Sequence, residues 1–138
     1  MIKSVTLEKE IFVAVVNEPG VLARITSFLV NHGINIEAIL GYTTEIGQHA
    51  GLMFITDNNR AAIDAFLDEG FREIMENDVL IVELENRPGA LKNISELLAQ
   101  NELNINYIYA TTCVSGCPVR VVLSTPNNKK AMRILTEG

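Results

Sequence analysis

Asn17-Glu18-Pro19-Gly20-Val21-Leu22 occurs again 69 residues later as Asn86-Arg87-Pro88-Gly89-Ala90-Leu91, in a chain of 138 residues. Identical residues continue at the same spacing without a gap: Ile25 and Ile94, Leu29 and Leu98, Asn35 and Asn104, Ile36 and Ile105, Ile39 and Ile108, Thr56 and Thr125, and Asn58-Asn59 and Asn127-Asn128. A fixed internal period indicates two copies of one structural unit, which we assign to residues 1–69 and 70–138. Duplicated units tend to pack about a pseudo-twofold axis, so a cleft between them would occur twice.

The composition is that of a globular protein, with 48% hydrophobic and 20% charged residues. A net charge of −6 argues against nucleic acid, because the densest basic cluster is only Lys129-Lys130 with Arg133. No apolar run approaches the length of a membrane span, and residues 1–10 alternate instead of forming the apolar stretch of a signal peptide. We therefore expect a cytoplasmic protein that binds no membrane.

Cys113 and Cys117 are four residues apart around Val114-Ser115-Gly116. This spacing could bridge a hairpin, but it matches no strong metal or redox motif. We favour two reduced thiols, since disulfides are rare in the cytoplasm. A zinc site would have to recruit His32 or His49, and we expect neither a metal nor a cofactor.

The order of strands and helices is the same in both copies. A β-branched run, 11–16 or 80–85, ends at the Asn-x-Pro-Gly turn, and a helix with apolar residues at helical spacing follows to about Asn31 in the first copy. Two hairpin strands come next, 34–39 with 52–55 or 103–108 with 119–123, joined by loops around Gly47 and Gly116. A second helix starts after Asn58 or Asn127.

One further strand precedes each copy, at residues 2–7 and 71–76. Each copy thus has the order β-β-α-β-β-α, which predicts an α+β, ferredoxin-like unit with a four-stranded antiparallel sheet and two helices on one face. The simplest topology is a pair of local hairpins, with residues 2–7 paired with 11–16 and 71–76 paired with 79–84. The alternative is an exchange, in which 2–7 completes the second copy and 71–76 the first.

The Asn-x-Pro-Gly turn ends a strand and opens a helix, so its free N–H groups and the helix dipole favour a carboxylate. The amides of Asn17 and Asn86 could engage both charged groups of a free amino acid, and Asn35 and Asn104 offer the same chemistry. Asparagine at such positions is more often a turn or cap residue. The occurrence of both asparagine types in both copies favours a binding site.

These motifs resemble the ACT domain, a regulatory module of amino-acid-metabolising enzymes, and are similar to its form in phosphoglycerate dehydrogenase. The resemblance covers both halves and implies that a small amino acid binds at the interface between two domains. It implies that one site combines the loop residues of the first copy with the second strand of the other copy: Asn17, Gly20, Val21, Leu22, Asn104 and Ile105. The mate of that site would be formed by Asn86, Gly89, Ala90, Leu91, Asn35 and Ile36. A homodimer is also compatible with the resemblance.

Three functions are considered for this sequence. The leading hypothesis is a regulatory protein of two ACT domains that binds a free L-amino acid and signals to a partner enzyme of amino-acid metabolism. The first rival is a constitutive regulatory subunit that docks on a biosynthetic enzyme without binding a ligand itself. The second rival is an enzyme, which we do not favour because the sequence holds only two His and no nucleophile–base spacing, P-loop or catalytic carboxylate cluster.

Overall fold

The computed structural model describes residues 1–43 and 48–137. Its elements, in chain order, are β1 (Ile2–Val16), α1 (Val21–Asn31), β2 (Ile36–Thr43), β3 (His49–Thr56), α2 (Asn59–Asp68), β4 (Ile74–Leu84), α3 (Ala90–Gln100), β5 (Tyr107–Thr111), β6 (Val119–Ser124) and α4 (Asn128–Glu137). Gly47, placed by the sequence in the first hairpin loop, lies outside the described residues. No helix in the described part of the chain has the length and apolar character needed to cross a membrane.

The chain forms two compact units. The first unit is Lys9–Asn77, and the second unit combines Met1–Glu8 with Asp78–Gly138. The predicted boundaries, 1–69 and 70–138, describe the repeat in the sequence. In the structure, residues 1–8 belong to the second unit and residues 70–77 belong to the first.

In the first unit the strands lie in the order β2-β3-β1-β4, and the N–H of Ala14 donates to the carbonyl of Glu73 across 3.0 Å. β3 pairs antiparallel with both β1 and β2, so that Leu52 lies opposite Val13 on one side and Gly41 on the other. Helices α1 and α2 cover the face that carries the core. The buried core residues are Ile11, Val13, Val15, Ile25, Phe28, Leu29, Ile34, Leu52, Phe54, Ala62, Ala65 and Phe66.

In the second unit the order is β1-β4-β6-β5, with the N–H of Glu85 donating to the carbonyl of Met1 across 2.8 Å. β6 pairs antiparallel with β4 and β5, which places Val121 opposite Val82 and Ala110. The core is aliphatic, and Ile2 and Val5 pack against it; its buried residues are Leu80, Val82, Leu84, Ala90, Ile94, Leu98, Val121, Leu123, Ala131 and Leu135. The predicted α+β, ferredoxin-like class is confirmed.

The two local hairpins predicted around Glu8-Lys9-Glu10 and Asn77-Asp78 are wrong, because β1 and β4 run straight through these residues. The two turn types that favour a two-residue hairpin, I′ and II′, place at least one central residue at positive φ. Among the described residues other than glycine, only Glu102 has a positive φ. The exchanged topology is therefore the one the protein adopts.

An asparagine at the start of a helix holds each long strand at the point where a turn was expected. Asn59 Nδ2 donates to the carbonyl of Lys9 across 3.0 Å, and Asn128 Nδ2 donates to the carbonyl of Asp78 across 2.8 Å. The Oδ1 atoms of these two residues accept hydrogen bonds from the backbone and hydroxyl of Thr56 and Thr125, respectively. The carbonyls of Lys9 and Asp78 thus each accept a side-chain hydrogen bond within a strand that continues past the predicted turn.

Candidate functional site

The first Asn-x-Pro-Gly loop joins β1 to α1 in a tight backbone conformation. Gly20 is the N-cap residue, with φ 89° and ψ −7°, a left-handed conformation that glycine adopts without steric cost. The N–H of Asn17 donates to the carbonyl of Gln48 across 2.8 Å, and the N–H of Val21 donates to that of Glu18 across 3.3 Å. No side chain caps α1. The first turn of this helix can therefore accept an anionic group.

The second loop has the same backbone conformation at its helix start. Gly89 caps α3 with φ 89° and ψ −10°, again with no side-chain cap. The N–H of Ala90 donates to the carbonyl of Arg87 across 3.3 Å. A Cβ atom added at Gly20 would meet nothing within 4 Å, and one added at Gly89 would meet only the Met1 side chain at 3.8 Å. The backbone of both loops is thus open to a ligand from outside.

The two loop asparagines differ in their side chains. Asn86 Nδ2 donates to Thr112 Oγ1 across 3.0 Å, and Thr112 Oγ1 donates to the carbonyl of Cys117 across 3.1 Å. The side chain of Asn17 makes no hydrogen bond to any of residues 1–43 and 48–137. As far as the described residues are concerned, hydrogen bonding therefore orients the side-chain amide in the second loop alone.

A cavity of about 330 Å³ lies beside the first loop, within the first unit. Asn17 and the first helical residues border it on one side, and the end of β2 and the start of β3 border it on the other. Its lining residues are Val15, Asn17, Val21, Leu22, Gly41, Tyr42, Thr43, Ala50 and Leu52. Three of the predicted site residues are thus brought to one cavity with a mainly apolar lining.

Asn35 and Ile36 lie at the other end of this unit. The N–H of Asn35 donates to Oδ1 of Asp57 across 2.9 Å, and Asp57 directly follows the last residue of β3. The N–H of Asn17 donates to the carbonyl of Gln48, which directly precedes the first residue of β3. At about 3.4 Å per residue, the eight residues of β3 separate the two asparagines by roughly 25 Å. A single small ligand cannot touch both within one unit.

The second unit shows the same separation. Asn86 lies by Thr112 and Cys117, which precede β6, whereas the N–H of Asn106 donates to Ser124, the last residue of β6. Asn104 and Ile105 are exposed and border a different cavity, of about 450 Å³, with Ser95, Leu98, Ala99, Glu102 and Leu103. Neither unit by itself can therefore bring both asparagine types to one small ligand.

Cys113 and Cys117 form a disulfide, so the prediction of two reduced thiols is wrong. The turn between them places Gly116 at φ 85° and brings the two Cα atoms to 5.3 Å, within the range that a disulfide spans. The expected compartment carries no information on this geometry. Over the described residues, no three His, Cys, Asp or Glu side chains are arranged to hold a metal ion.

Charged groups next to the loops also differ between the units. Arg87, within the second loop, pairs with Glu85 across 3.1 Å, and the N-terminal ammonium pairs with the same carboxylate across 3.4 Å. The first loop carries the exposed Glu18 at the position of Arg87. A carboxylate ligand would meet a negative charge at the first loop and a partly neutralised positive charge at the second.

Two residues that border the loops were not expected from the sequence. Thr43 is the last residue of β2, and Thr112 directly follows β5. Each donates a hydroxyl hydrogen bond across the following loop, to the carbonyl of His49 over 3.1 Å and to that of Cys117 over 3.1 Å. They lie at the same position of the 69-residue repeat. Their identity in the repeat was the signal that could have found them.

Both halves of the chain match models of the same protein family. A model described as the ACT domain matches residues 9–65, and one described as an AHAS small subunit-like ACT domain matches residues 80–137. No curated protein matches the sequence.

Similar solved structures span nearly the whole chain. Protein BT0572 from Bacteroides thetaiotaomicron is 25% identical with a TM-score of 0.87, over 96% of this chain and 89% of that one. The ligand-free regulatory subunit of aspartate kinase from Thermus thermophilus is 17% identical with a TM-score of 0.69, over 99% and 97%. The corresponding subunit from Thermus flavus is 18% identical with a TM-score of 0.67, over 99% and 97%. At identities of 17% and 18%, the likeness of this chain to the two kinase subunits is a likeness in fold alone.

Proposed function

Because both repeats of this chain belong to the ACT domain family, we propose that the protein is a regulator that binds a free L-amino acid through its Asn-x-Pro-Gly loops. The observation that carries the proposal is the uncapped helix behind each loop, which leaves N–H groups at the positive end of α1 and α3 for a carboxylate. The adjacent amide of Asn17 or Asn86 supplies an acceptor for the ammonium group. The two charged groups of an amino acid thus have complementary partners.

We propose that each site is completed by the second strand of a neighbouring unit, which supplies Asn104 and Ile105 to the first loop and Asn35 and Ile36 to the second. In support, the two asparagine types lie at opposite ends of β3 in the first unit and of β6 in the second. A ligand held at a loop can therefore contact the other type of asparagine only if that residue comes from another unit. The neighbour could belong to the same chain or to the second chain of a homodimer.

The signal would pass to a partner enzyme of amino-acid metabolism, and the chain itself would not be catalytic. The likeness in fold to regulatory subunits of aspartate kinase supports this part of the proposal. A cytoplasmic location stays a prediction of the sequence.

A thermal-shift screen of the twenty L-amino acids tests the proposal. A ligand at 100 times its dissociation constant should stabilise the protein by about 2.7 kcal/mol. Titration calorimetry should then show that Asn17→Ala and Asn86→Ala each weaken binding by about 1–3 kcal/mol, because a hydrogen bond to a charged group is lost.

Asn93→Ala is the matched control, since Asn93 lies on α3 in the same unit as Asn86 and outside the loop. If neither loop variant changes the affinity, the loops are not the site. If none of the twenty amino acids binds, the constitutive docking subunit becomes the better description.

A further inference from the structure

A chain of hydrogen bonds links the second loop to the disulfide. Asn86 Nδ2 donates to Thr112 Oγ1, which donates to the carbonyl of Cys117, and Cys117 is cross-linked to Cys113. The N–H of Cys117 also donates to the sulfur of Cys113, across 3.2 Å. All four residues lie in the second unit.

The single proton of the Thr112 hydroxyl fixes which way the Asn86 amide faces. A hydroxyl group has one O–H donor and two acceptor lone pairs. Since the proton of Thr112 is used on the Cys117 carbonyl, only lone pairs face Asn86. Asn86 must therefore turn Nδ2 towards Thr112, which leaves Oδ1 on the opposite side of the amide.

The disulfide keeps the Cys117 carbonyl where Thr112 can reach it. It closes the short loop Cys113-Val114-Ser115-Gly116-Cys117, which starts one residue after Thr112. Val114, Ser115, Gly116 and Cys117 are all exposed, so little packing holds this loop apart from the cross-link. Opening the disulfide would release the carbonyl and, with it, the orientation of Asn86.

In the described part of the first unit, residues 9–43 and 48–77, no such chain of hydrogen bonds reaches the loop asparagine. Thr43 donates to the carbonyl of His49, but the side chain of Asn17 makes no hydrogen bond within residues 1–43 and 48–137. In the sequence, Thr44 and Gln48 stand at the positions of the two cysteines. The connection between a cross-link and the loop asparagine is thus specific to the second copy.

We propose that Thr112 is the positioning residue for Asn86 and that the Cys113–Cys117 disulfide raises the affinity of the second loop for the ammonium group of an amino acid. This inference rests on the proposed function. A dithiol reductant lowers this affinity. It transfers two electrons and two protons to the Cys113–Cys117 bond, which breaks into two thiols, and the two sulfurs of the reductant become a disulfide. The reduced protein must then immobilise the Asn86 side chain on binding, which weakens affinity roughly 2- to 12-fold.

The first measurement needs no ligand. The three-bond couplings and hydrogen exchange of the Asn86 side-chain amide, read by NMR, should show one protected rotamer in the oxidised protein. Dithiothreitol, the double variant Cys113→Ser/Cys117→Ser and Thr112→Val should each give averaged couplings and faster exchange. Thr112→Ser, which keeps the hydroxyl, should retain the single rotamer. Thr43→Val is the matched control and should leave Asn86 unchanged.

The second measurement uses a mixture of the twenty L-amino acids in an Asn17→Ala background, where only the second loop is intact. The half-saturating concentration should rise roughly 2- to 12-fold on reduction. It should not respond to reductant in the double cysteine variant.

The outcomes separate the two proposals. A single Asn86 rotamer that survives both reduction and Thr112→Val overturns the inference, whether or not amino acids bind. Averaged couplings together with an unchanged affinity overturn the redox dependence. Averaged couplings in a protein that binds no amino acid in either state support the positioning role of Thr112 and overturn the proposed function, and with it the redox dependence.

Discussion

The two units keep the same loops and fill their cores with different residues. Gly20 and Gly89 share φ 89°, and the hydrogen bonds that close the two turns are both 3.3 Å long. The cores, in contrast, differ in kind. All five phenylalanines of the chain lie between Phe12 and Phe71, whereas the core of the second unit is aliphatic.

This difference shows which features of a duplicated unit depend on residue identity. A left-handed turn that opens a helix needs glycine at one position, so both copies have it there. A core needs apolar side chains that fill a volume, and several combinations meet that condition. The rings of Phe28, Phe54 and Phe71 all contact Phe66, at centroid distances of 5.3–5.7 Å, whereas Leu135 stands at the equivalent position of the second copy.

Truncation of these two equivalent residues should have the largest effect. Phe66→Ala removes three ring contacts and should lower the free energy of unfolding by about 4 kcal/mol, whereas Leu135→Ala should cost about 3 kcal/mol. Urea denaturation gives the totals, and hydrogen exchange should show the loss mainly in 9–77 for the first variant and in 78–137 for the second. Phe66→Leu, the control, should cost less than Phe66→Ala. A larger loss for Leu135→Ala than for Phe66→Ala would contradict this comparison of the cores.

The strand-holding asparagines should give an intermediate and equal effect. Asn59→Ala and Asn128→Ala each leave a strand carbonyl and a threonine hydroxyl without their partner, which should cost about 2 kcal/mol in either unit. Hydrogen exchange around Lys9 and Asp78 would locate the loss. Asn58→Ala serves as the control because it removes only the cap hydrogen bond to Ala61, worth about 1 kcal/mol. If Asn59→Ala costs no more than this control, the carbonyl contact does not stabilise the strand.

The smallest effect is expected at a surface position that differs between the copies. Arg24 pairs with Glu69 across 3.4 Å and lies 5.2 Å from the centre of the Phe71 ring, whereas the second copy has Asn93 there. Since the Arg24 side chain is 54% exposed, Arg24→Asn should cost about 0.5–1 kcal/mol, and less in high salt. Chemical denaturation in low and high salt measures both values, with Lys92→Ala as the control for an exposed ion pair on a helix. A loss as large as that of Asn59→Ala would show that Arg24 does more than pair at the surface.

Most of the secondary structure could be predicted because local signals agreed with the final fold. The β-branched run at 11–16, the helix after Gly20 and the second helix after Asn58 are all present in the structure. The repeat made each prediction stronger, since it required the same element 69 residues later.

The predictions that failed concern partners distant in sequence. Alternation of polar and apolar residues shows which face of a strand is buried, but it does not show which strand lies alongside. The alternation in residues 2–7 therefore favours a strand but does not identify its partner, and proximity in sequence makes the hairpin at Glu8-Lys9-Glu10 the simplest prediction. The disulfide was missed for a related reason, since the approach of the two cysteines depends on the conformation of the turn that joins them.

The sequence by itself determined that the protein consists of two ferredoxin-like copies and that each contains an Asn-x-Pro-Gly turn opening a helix. Only the tertiary structure decided that the strand segments preceding the two copies are exchanged between the units. It also decided that Thr112 holds the side chain of Asn86, and that the two asparagine types of one unit lie at opposite ends of a strand, β3 or β6. The physical reason is that turns and helix starts are set by neighbouring residues, whereas strand pairing and side-chain hydrogen bonds are set by groups that meet only after the chain has folded.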